Sequence, residues 1–122
     1  MLNANFIILY VADPTASARF YADLTGREPV EASPTFAMFA LASGLMLGLW
    51  KADTVEPKAT LRGGGGELGL TVADADAVAA TFADFSARGL PILQPLTRMD
   101  FGPTFVTHDP DGHRLRVFAA GG

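Results

Sequence analysis

Residues 9–26 read LYVADPTASARFYADLTG and decide the fold. The segment continues an apolar run that starts at residue 6, and its β-branched and aromatic residues predict a buried strand over residues 6–11. Asp13 suits the N-cap of a helix and Pro14 its first position, while Gly26 supplies the stop. The helix between them carries one apolar face at a spacing of four: Ala16, Phe20 and Leu24. A strand followed directly by an amphipathic helix is therefore predicted.

The same pattern returns half a chain later. Residues 70–74 read LTVAD against LYVAD at residues 9–13, and each is followed by an alanine-rich stretch that ends at a glycine. Farther along, SGLMLGLW at residues 43–50 resembles DGHRLRVF at residues 111–118. Two matching segments in the same order indicate a duplicated module.

Each module is predicted to have the order βαβββ. The first module has strands expected at residues 6–11, 27–31, 35–42 and 45–50. The second has strands expected at residues 67–72, 91–97, 102–108 and 113–119, with a helix that starts at its own N-cap, Asp74. The chain is thus expected to be a single α+β domain, residues 1–122, made of modules at about 1–52 and 66–120. A Gly-rich linker over residues 53–65 joins them, and the glycines at 63–66 lack the sequence context of a phosphate-binding loop.

Composition excludes several classes of function. The 122 residues carry 9 Lys and Arg against 13 Asp and Glu, a formal net charge of −4, which argues against nucleic acid and anionic membranes as partners. The absence of cysteine excludes disulfides, a thiolate nucleophile and a cysteine zinc site. The longest apolar run is far shorter than a membrane span, and no signal-peptide pattern precedes Asp13. We therefore expect a cytoplasmic protein with no membrane partner.

These motifs resemble the vicinal oxygen chelate superfamily, which contains glyoxalase I, extradiol dioxygenases and the bleomycin-resistance proteins. The resemblance is carried by residues 9–26 and by FVTHDPDGHRLRVF at residues 105–118. EPV at residues 28–30, the strand that ends in Trp50 and DFGPTF at residues 100–105 look most like the phenazine-antibiotic resistance proteins of that group. The resemblance implies two cupped mixed sheets, the glyoxalase/bleomycin-resistance-like fold. It also implies a binding protein for an aromatic drug that acts as a two-fold homodimer.

Catalytic relatives hold a divalent metal at four positions related by the repeat. Transferred onto this chain, the resemblance puts those positions at Phe6, Gly48, Glu67 and Arg116. Phe6 and Gly48 offer no side-chain donor, and a guanidinium has no lone pair for a metal and repels a dication. Only Glu67 could ligate. We therefore predict no metal, no cofactor and no catalytic residues at these positions.

Strand alternation then predicts an apolar, aromatic slot in the cup, since every second residue shares a face. The predicted ligand contacts are Phe6, Tyr10, Met46, Gly48, Trp50, Phe118 and, from a second chain, Phe101 and Phe105. Either Phe36 or Phe39 joins them, depending on register, and Phe39 is included among the candidates. Gly48 is expected to leave space, and Trp50 to stack on a planar ligand.

Two further questions stay open at this point. The first is whether Glu67 and Arg116 pair with each other or whether Arg116 instead anchors a ligand carboxylate. The function favoured is a metal-free protein that sequesters a planar aromatic compound such as a phenazine antibiotic. Its rivals are a metal-dependent lyase, isomerase or dioxygenase with a site around Glu67 and His108 or His113, and an interaction domain with a vestigial cup.

Overall fold

The computed structural model describes residues 1–61 and 63–119, which divide into two compact units, Met1–Gly63 and Gly64–Gly122. The division falls inside the linker expected at residues 53–65. The first unit contains β1 (Phe6–Val11), α1 (Pro14–Thr25), β2 (Glu31–Ala32), β3 (Phe36–Ala40), β4 (Met46–Lys51) and a 3-10 turn (Ala52–Thr54). The second contains β5 (Glu67–Val72), α2 (Ala75–Ala87), β6 (Ile92–Met99), β7 (Gly102–His108) and β8 (Arg114–Ala119). The predicted α+β class and the βαβββ order of each module are confirmed.

The helices begin and end where the sequence predicts. The Asp13 carboxylate accepts the backbone N–H of Thr15 at 3.0 Å, and Gly26 ends α1 at φ +70°, a left-handed conformation that glycine adopts without strain. Asp74 repeats this arrangement at α2, where its carboxylate accepts the N–H of Ala77 at 2.9 Å. No helix within residues 1–61 and 63–119 is long and apolar enough to cross a membrane.

The first unit is a four-stranded mixed sheet in the order β1-β4-β3-β2, with β1 parallel to β4 and the other pairs antiparallel. The core of this unit contains Tyr21 of α1 and, from the sheet, Val11, Ala37, Phe39, Leu47 and Leu49. The strand expected at residues 27–31 is reduced to two residues. Pro29 has no N–H to donate to a sheet ladder, which accounts for the shortening.

Phe39 belongs to this core. It is 0% exposed, and its register partner in β4 is the equally buried Leu47. The expectation that Phe39 contacts a ligand in the cup is therefore corrected: the alternation of β3 places Phe36, not Phe39, on the face away from α1.

The second unit repeats the design in the order β5-β8-β7-β6, with β5 parallel to β8. Its core centres on Phe105, which is 0% exposed and whose ring meets those of Phe82 and Phe85 edge-to-face at centroid distances of 5.2 and 5.5 Å. The expectation that Phe105 contacts a ligand from a second chain is therefore corrected, because its ring belongs to this core. The DPDG turn before β8 is held by Asp109, whose carboxylate accepts the N–H groups of Asp111 and His113 at 2.9 Å each.

The strand registers show the duplication at atomic level. Phe6 lies opposite Met46 between β1 and β4, and Glu67 lies opposite Arg114 between β5 and β8. The equivalent residues of β1 and β5 are therefore 61 apart in sequence and those of β4 and β8 are 68 apart, which are the offsets of the two repeated sequence segments. The residues of β1, β3 and β4 thus have counterparts in β5, β7 and β8.

Candidate functional site

Each sheet has a face that its own helix leaves uncovered, and we call this its open face. On the first open face, the strand registers align nine residues in three rows across β3, β4 and β1. The rows are Ala40, Met46 and Phe6; Met38, Gly48 and Ile8; and Phe36, Trp50 and Tyr10. Apart from the Tyr10 hydroxyl and the indole N–H, this surface is apolar.

Large side chains on the first open face are accessible. Phe6, Ile8 and Tyr10 are 44%, 45% and 40% exposed. Trp50 is half-buried, and its indole meets the Tyr10 ring edge-to-face at a centroid distance of 6.2 Å and an interplanar angle of 81°. The structure therefore brings together the predicted contacts Phe6, Tyr10, Met46 and Trp50 on one surface.

Gly48 does not leave the space that the sequence led us to expect. A Cβ built on Gly48 would lie 3.0 Å from Cζ of Phe36 and 3.0 Å from Cε1 of Phe6. The two rings therefore close over the glycine backbone, and a side chain there would displace them. Gly48 acts by letting two aromatic rings approach the sheet.

The second open face has different chemistry at the equivalent nine positions. Its rows across β7, β8 and β5 are His108, Arg114 and Glu67; Val106, Arg116 and Gly69; and Thr104, Phe118 and Thr71. One end of this face is charged and the other carries Phe118. The Phe118 ring covers Gly69, since Cε1 lies 3.2 Å from where a glycine Cβ would be, and it meets Phe101 edge-to-face at 6.3 Å.

Glu67 and Arg116 form a two-point ion pair between the parallel strands β5 and β8. Nε of Arg116 donates to Oε1 of Glu67 at 2.7 Å, and Nη2 donates to Oε2 at 3.0 Å. Nη1 of the same arginine donates to Oε1 of Gln94 at 3.0 Å and to Oγ1 of Thr104 at 3.3 Å. The side chains are 20% and 32% exposed for Arg116 and Glu67, so the pair is partly shielded from water. Of the two sequence alternatives, pairing is the one that the structure contains.

This ion pair keeps Glu67 charged. The hydrogen bonds from Arg116 lower the pKa of the Glu67 carboxyl below its ordinary value of 4.5; partial burial opposes this, and the charges of Arg116 and Arg114 add to the lowering. Glu67 is therefore an acceptor that is already occupied, which makes it a poor general base.

The four positions implied for a metal do not fit one. In the first unit, Gly48 lies beneath the ring of Phe6, and neither residue has a donor side chain. In the second, both carboxylate oxygens of Glu67 accept hydrogen bonds from Arg116. Throughout residues 1–61 and 63–119, no three His, Cys, Asp or Glu side chains are grouped so as to hold a metal ion. The donor set is that of neither a zinc nor a non-haem iron site.

The two histidines are held by the DPDG turn. His108 shares a row with Glu67 but is separated from it by β8 and Arg114, and its Nδ1–H donates to the backbone carbonyl of Asp109 at 2.8 Å. His113 precedes β8, and its backbone N–H is bonded to the carboxylate of Asp109. Neither contact points to metal ligation.

Three polar residues of the second open face were missed from sequence. Arg114 could have been found, because it is two residues before Arg116 on the same strand and must share its face. Gln94 and Thr104 could not, because their approach to Arg116 depends on β6, whose pairing with β7 shifts register twice.

Comparison with known proteins agrees with this geometry. Residues 3–117 match the family model of the Glyoxalase/Bleomycin resistance protein/Dioxygenase superfamily, and the chain belongs to that superfamily. Among solved structures it is similar to protein ATC0852 from Agrobacterium tumefaciens, at 52% identity over 100% of both chains with a TM-score of 0.89. It is also similar to a glyoxalase-related enzyme from Fulvimarina pelagi, at 27% identity over 98% of this chain and 88% of that one, with a TM-score of 0.83.

One curated relative carries a specific function. The phenazine antibiotic resistance protein EhpR of Enterobacter agglomerans is 28% identical over 120 residues, which is 95% of this chain and 91% of that protein. The resemblance to the superfamily and, within it, to phenazine-resistance proteins is confirmed.

Proposed function

We propose that this protein is a metal-free small-molecule binding protein that sequesters a planar aromatic compound of the phenazine antibiotic kind. The observation that carries the proposal is the first open face, where aromatic and aliphatic side chains occupy nearly all of nine aligned positions. Soluble proteins seldom expose such a surface unless it binds something.

The shape of this surface favours a flat ligand. Phe6 and Phe36 approach closely over Gly48, and Trp50 lies in the row beside it. A planar ring system that covers them gains about 1 kcal/mol for each well-placed aromatic contact, in addition to the burial of apolar area. Ligand pockets are commonly built this way, from apolar walls with few polar groups.

Two independent observations support binding over catalysis. The positions at which the superfamily's enzymes hold a metal carry a ring, a glycine and a closed ion pair. The curated relative EhpR is by name a phenazine antibiotic resistance protein. Resistance by sequestration needs affinity alone, so it does not require the missing donors.

Trp50 is the one tryptophan of the chain and lies on the proposed surface, so its fluorescence reports binding. Titration with phenazine is expected to quench it saturably, with one break point per site. N-acetyltryptophanamide at the same absorbance corrects for light absorbed by the ligand. Linear quenching that matches the free indole up to high micromolar phenazine would rule the proposal out.

The competing function is a metal-dependent lyase, isomerase or dioxygenase, because the superfamily also includes glyoxalases and dioxygenases. It predicts a stoichiometric transition metal after mild purification. Elemental analysis of the protein separates the two, because the binding protein is expected to hold far less than one metal ion per chain.

A further inference from the structure

The first open face carries a charged residue at its edge. Glu31 of β2 lies opposite Met38 of β3, and residues directly opposite each other in an antiparallel pair point to the same side of the sheet. The row of Met38, Gly48 and Ile8 therefore begins at Glu31. Glu31 is exposed, and β2 is an edge strand of this sheet.

The carboxylate of Glu31 is free to act on a ligand. Within residues 1–61 and 63–119, it takes part in neither an ion pair nor a side-chain hydrogen bond. The basic residue nearest to it in sequence, Arg27, donates instead from Nη1 to the backbone carbonyl of Ala40 at 3.0 Å. With Glu31 the aligned positions of the first open face number ten, and none of these ten holds a lysine or an arginine.

The aromatic residues of this face favour the same sign of ligand charge. Phe6, Tyr10, Phe36 and Trp50 all lie on it. The faces of aromatic rings attract cations, so a flat cationic ring system gains there beyond the burial of apolar area. An anion gains nothing of this kind, and a carboxylate pressed against this surface would lose hydration without meeting a cation at the aligned positions.

Glu31 lies close enough to the aromatic positions to act on a bound ring system. Phe36 is diagonal to it across the pair of β2 and β3, which puts their Cα atoms about 7–8 Å apart. Gly48, which the rings of Phe6 and Phe36 approach, is two strands away, about 10 Å at the spacing of a sheet. Charges at such separations interact when little salt is present.

We infer that the ligand of the first open face is a planar aromatic cation and that Glu31 sets this preference. The inference rests on the proposed function, because it gives the charge of the same class of ligand at the same surface. Glu31 is a specificity-determining residue, which attracts the cation and repels the corresponding acid. A neutral ring system binds through the apolar contacts alone.

Three compounds built on one ring system test the inference by calorimetry: 5-methylphenazinium, phenazine and phenazine-1-carboxylate. At pH 7.5 and low salt, we expect the cation to bind about tenfold more tightly than the acid, with phenazine between them. A carboxylate that is exposed to water accounts for about threefold in each direction. The ratio of the two affinities should shrink as salt is added.

Glu31→Gln is expected to reduce this ratio at least threefold and to leave the affinity for phenazine unchanged. The matched variant combines Glu31→Ala with Ala32→Glu, which preserves both the net charge and an acidic residue on the edge strand. Ala32 is exposed and lies opposite the buried Ala37, so the relocated carboxylate is on the other side of the sheet. The ratio should fall by the same amount, which the net charge of the chain could not explain.

The outcomes separate the two proposals. If phenazine binds and the cation binds no more tightly than the acid, the function stands and the role of Glu31 is refuted. A ratio that persists when the carboxylate is relocated, or in Glu31→Gln, refutes it equally, and thermal melts show whether each variant is folded. If phenazine itself does not bind, the proposed function fails and the inference fails with it.

Discussion

Arg116 and Glu67 are joined by two hydrogen bonds of 2.7 and 3.0 Å between neighbouring parallel strands. The equivalent residues of the first unit, Gly48 and Phe6, are also in contact, with the phenylalanine ring over the glycine. One diagonal position of a duplicated sheet thus holds an ion pair in one copy and an aromatic contact in the other. The resemblance places the metal ligands of the superfamily's enzymes at this diagonal position, and neither copy here provides such ligands.

The ion pair is expected to stabilise the second unit by more than a surface pair does. In a double-mutant cycle of Glu67→Gln and Arg116→Gln, we expect a coupling of about 1 kcal/mol in the free energy of unfolding, at the upper end for accessible pairs because this one is bidentate and partly shielded. Urea denaturation measures it.

The pair Asp84 and Arg88, at the C-terminal end of α2, is a suitable comparison, since its side chains are more exposed, at 57% and 38%. Its coupling should be about 0.3–0.5 kcal/mol, as for other pairs four residues apart on a helix. Equal couplings for the two pairs would mean that the partial shielding of Glu67 and Arg116 from water adds nothing.

Acid should weaken this contribution in a defined direction. Because Arg116 lowers the pKa of folded Glu67 below 4.5, the folded state holds its proton less tightly than the unfolded state does. The stabilisation is therefore fully present above the unfolded pKa and is lost as the pH falls through the folded one. The difference in unfolding free energy between the parent and Glu67→Gln should be constant from pH 7 to about 5.5 and shrink below 4.5. A difference that does not change with pH would contradict the assignment.

Replacing Gly48 with a larger residue should destabilise the first unit. Gly48→Leu forces the rings of Phe6 and Phe36 away from the backbone, and we expect a loss of about 1–3 kcal/mol, the usual cost of overpacking. Gly66→Leu is the control, because nothing lies within 4 Å of a Cβ built there. If both substitutions change the melting temperature alike, the rings do not depend on the glycine.

A substitution at Ile8 should weaken ligand binding while leaving the stability of the fold nearly unchanged. Ile8 is 45% exposed in the middle row of the first open face, on the edge strand β1, so Ile8→Glu should change stability by less than about 1 kcal/mol while placing a charge against the ligand. We expect phenazine affinity to fall at least tenfold. Leu93→Glu, at a residue that is 50% exposed on β6, should leave affinity unchanged. Equal effects of the two substitutions would point to a binding surface elsewhere.

The sequence predicted most of the fold, because its signals are local. Asp13 and Asp74 cap helices through contacts two or three residues away, and the repeat offsets reappear unchanged in the strand registers. The pairing of Glu67 with Arg116 was one of two alternatives that the sequence left open, and the structure contains it.

The remainder depended on information that is not local. The run TFAMFA over residues 35–40 is apolar on both faces, so alternation alone could not tell whether Phe36 or Phe39 faces the helix. Pairing of β3 with β4 settles this in favour of Phe39. Gln94 reaches Arg116 from β6, whose pairing with β7 shifts register on both sides of Gln94, and no sequence pattern predicts such shifts.

The central claim is that flat aromatic molecules bind here without a metal, and one titration tests it directly. Phenazine is added to protein that has been dialysed against EDTA, and to the same protein supplied with Zn²⁺ or Mn²⁺, while the fluorescence of Trp50 is followed. We predict the same saturable quenching, with the same dissociation constant, in all samples. Quenching that appears only when a metal is restored, or in none of the samples, would contradict the claim.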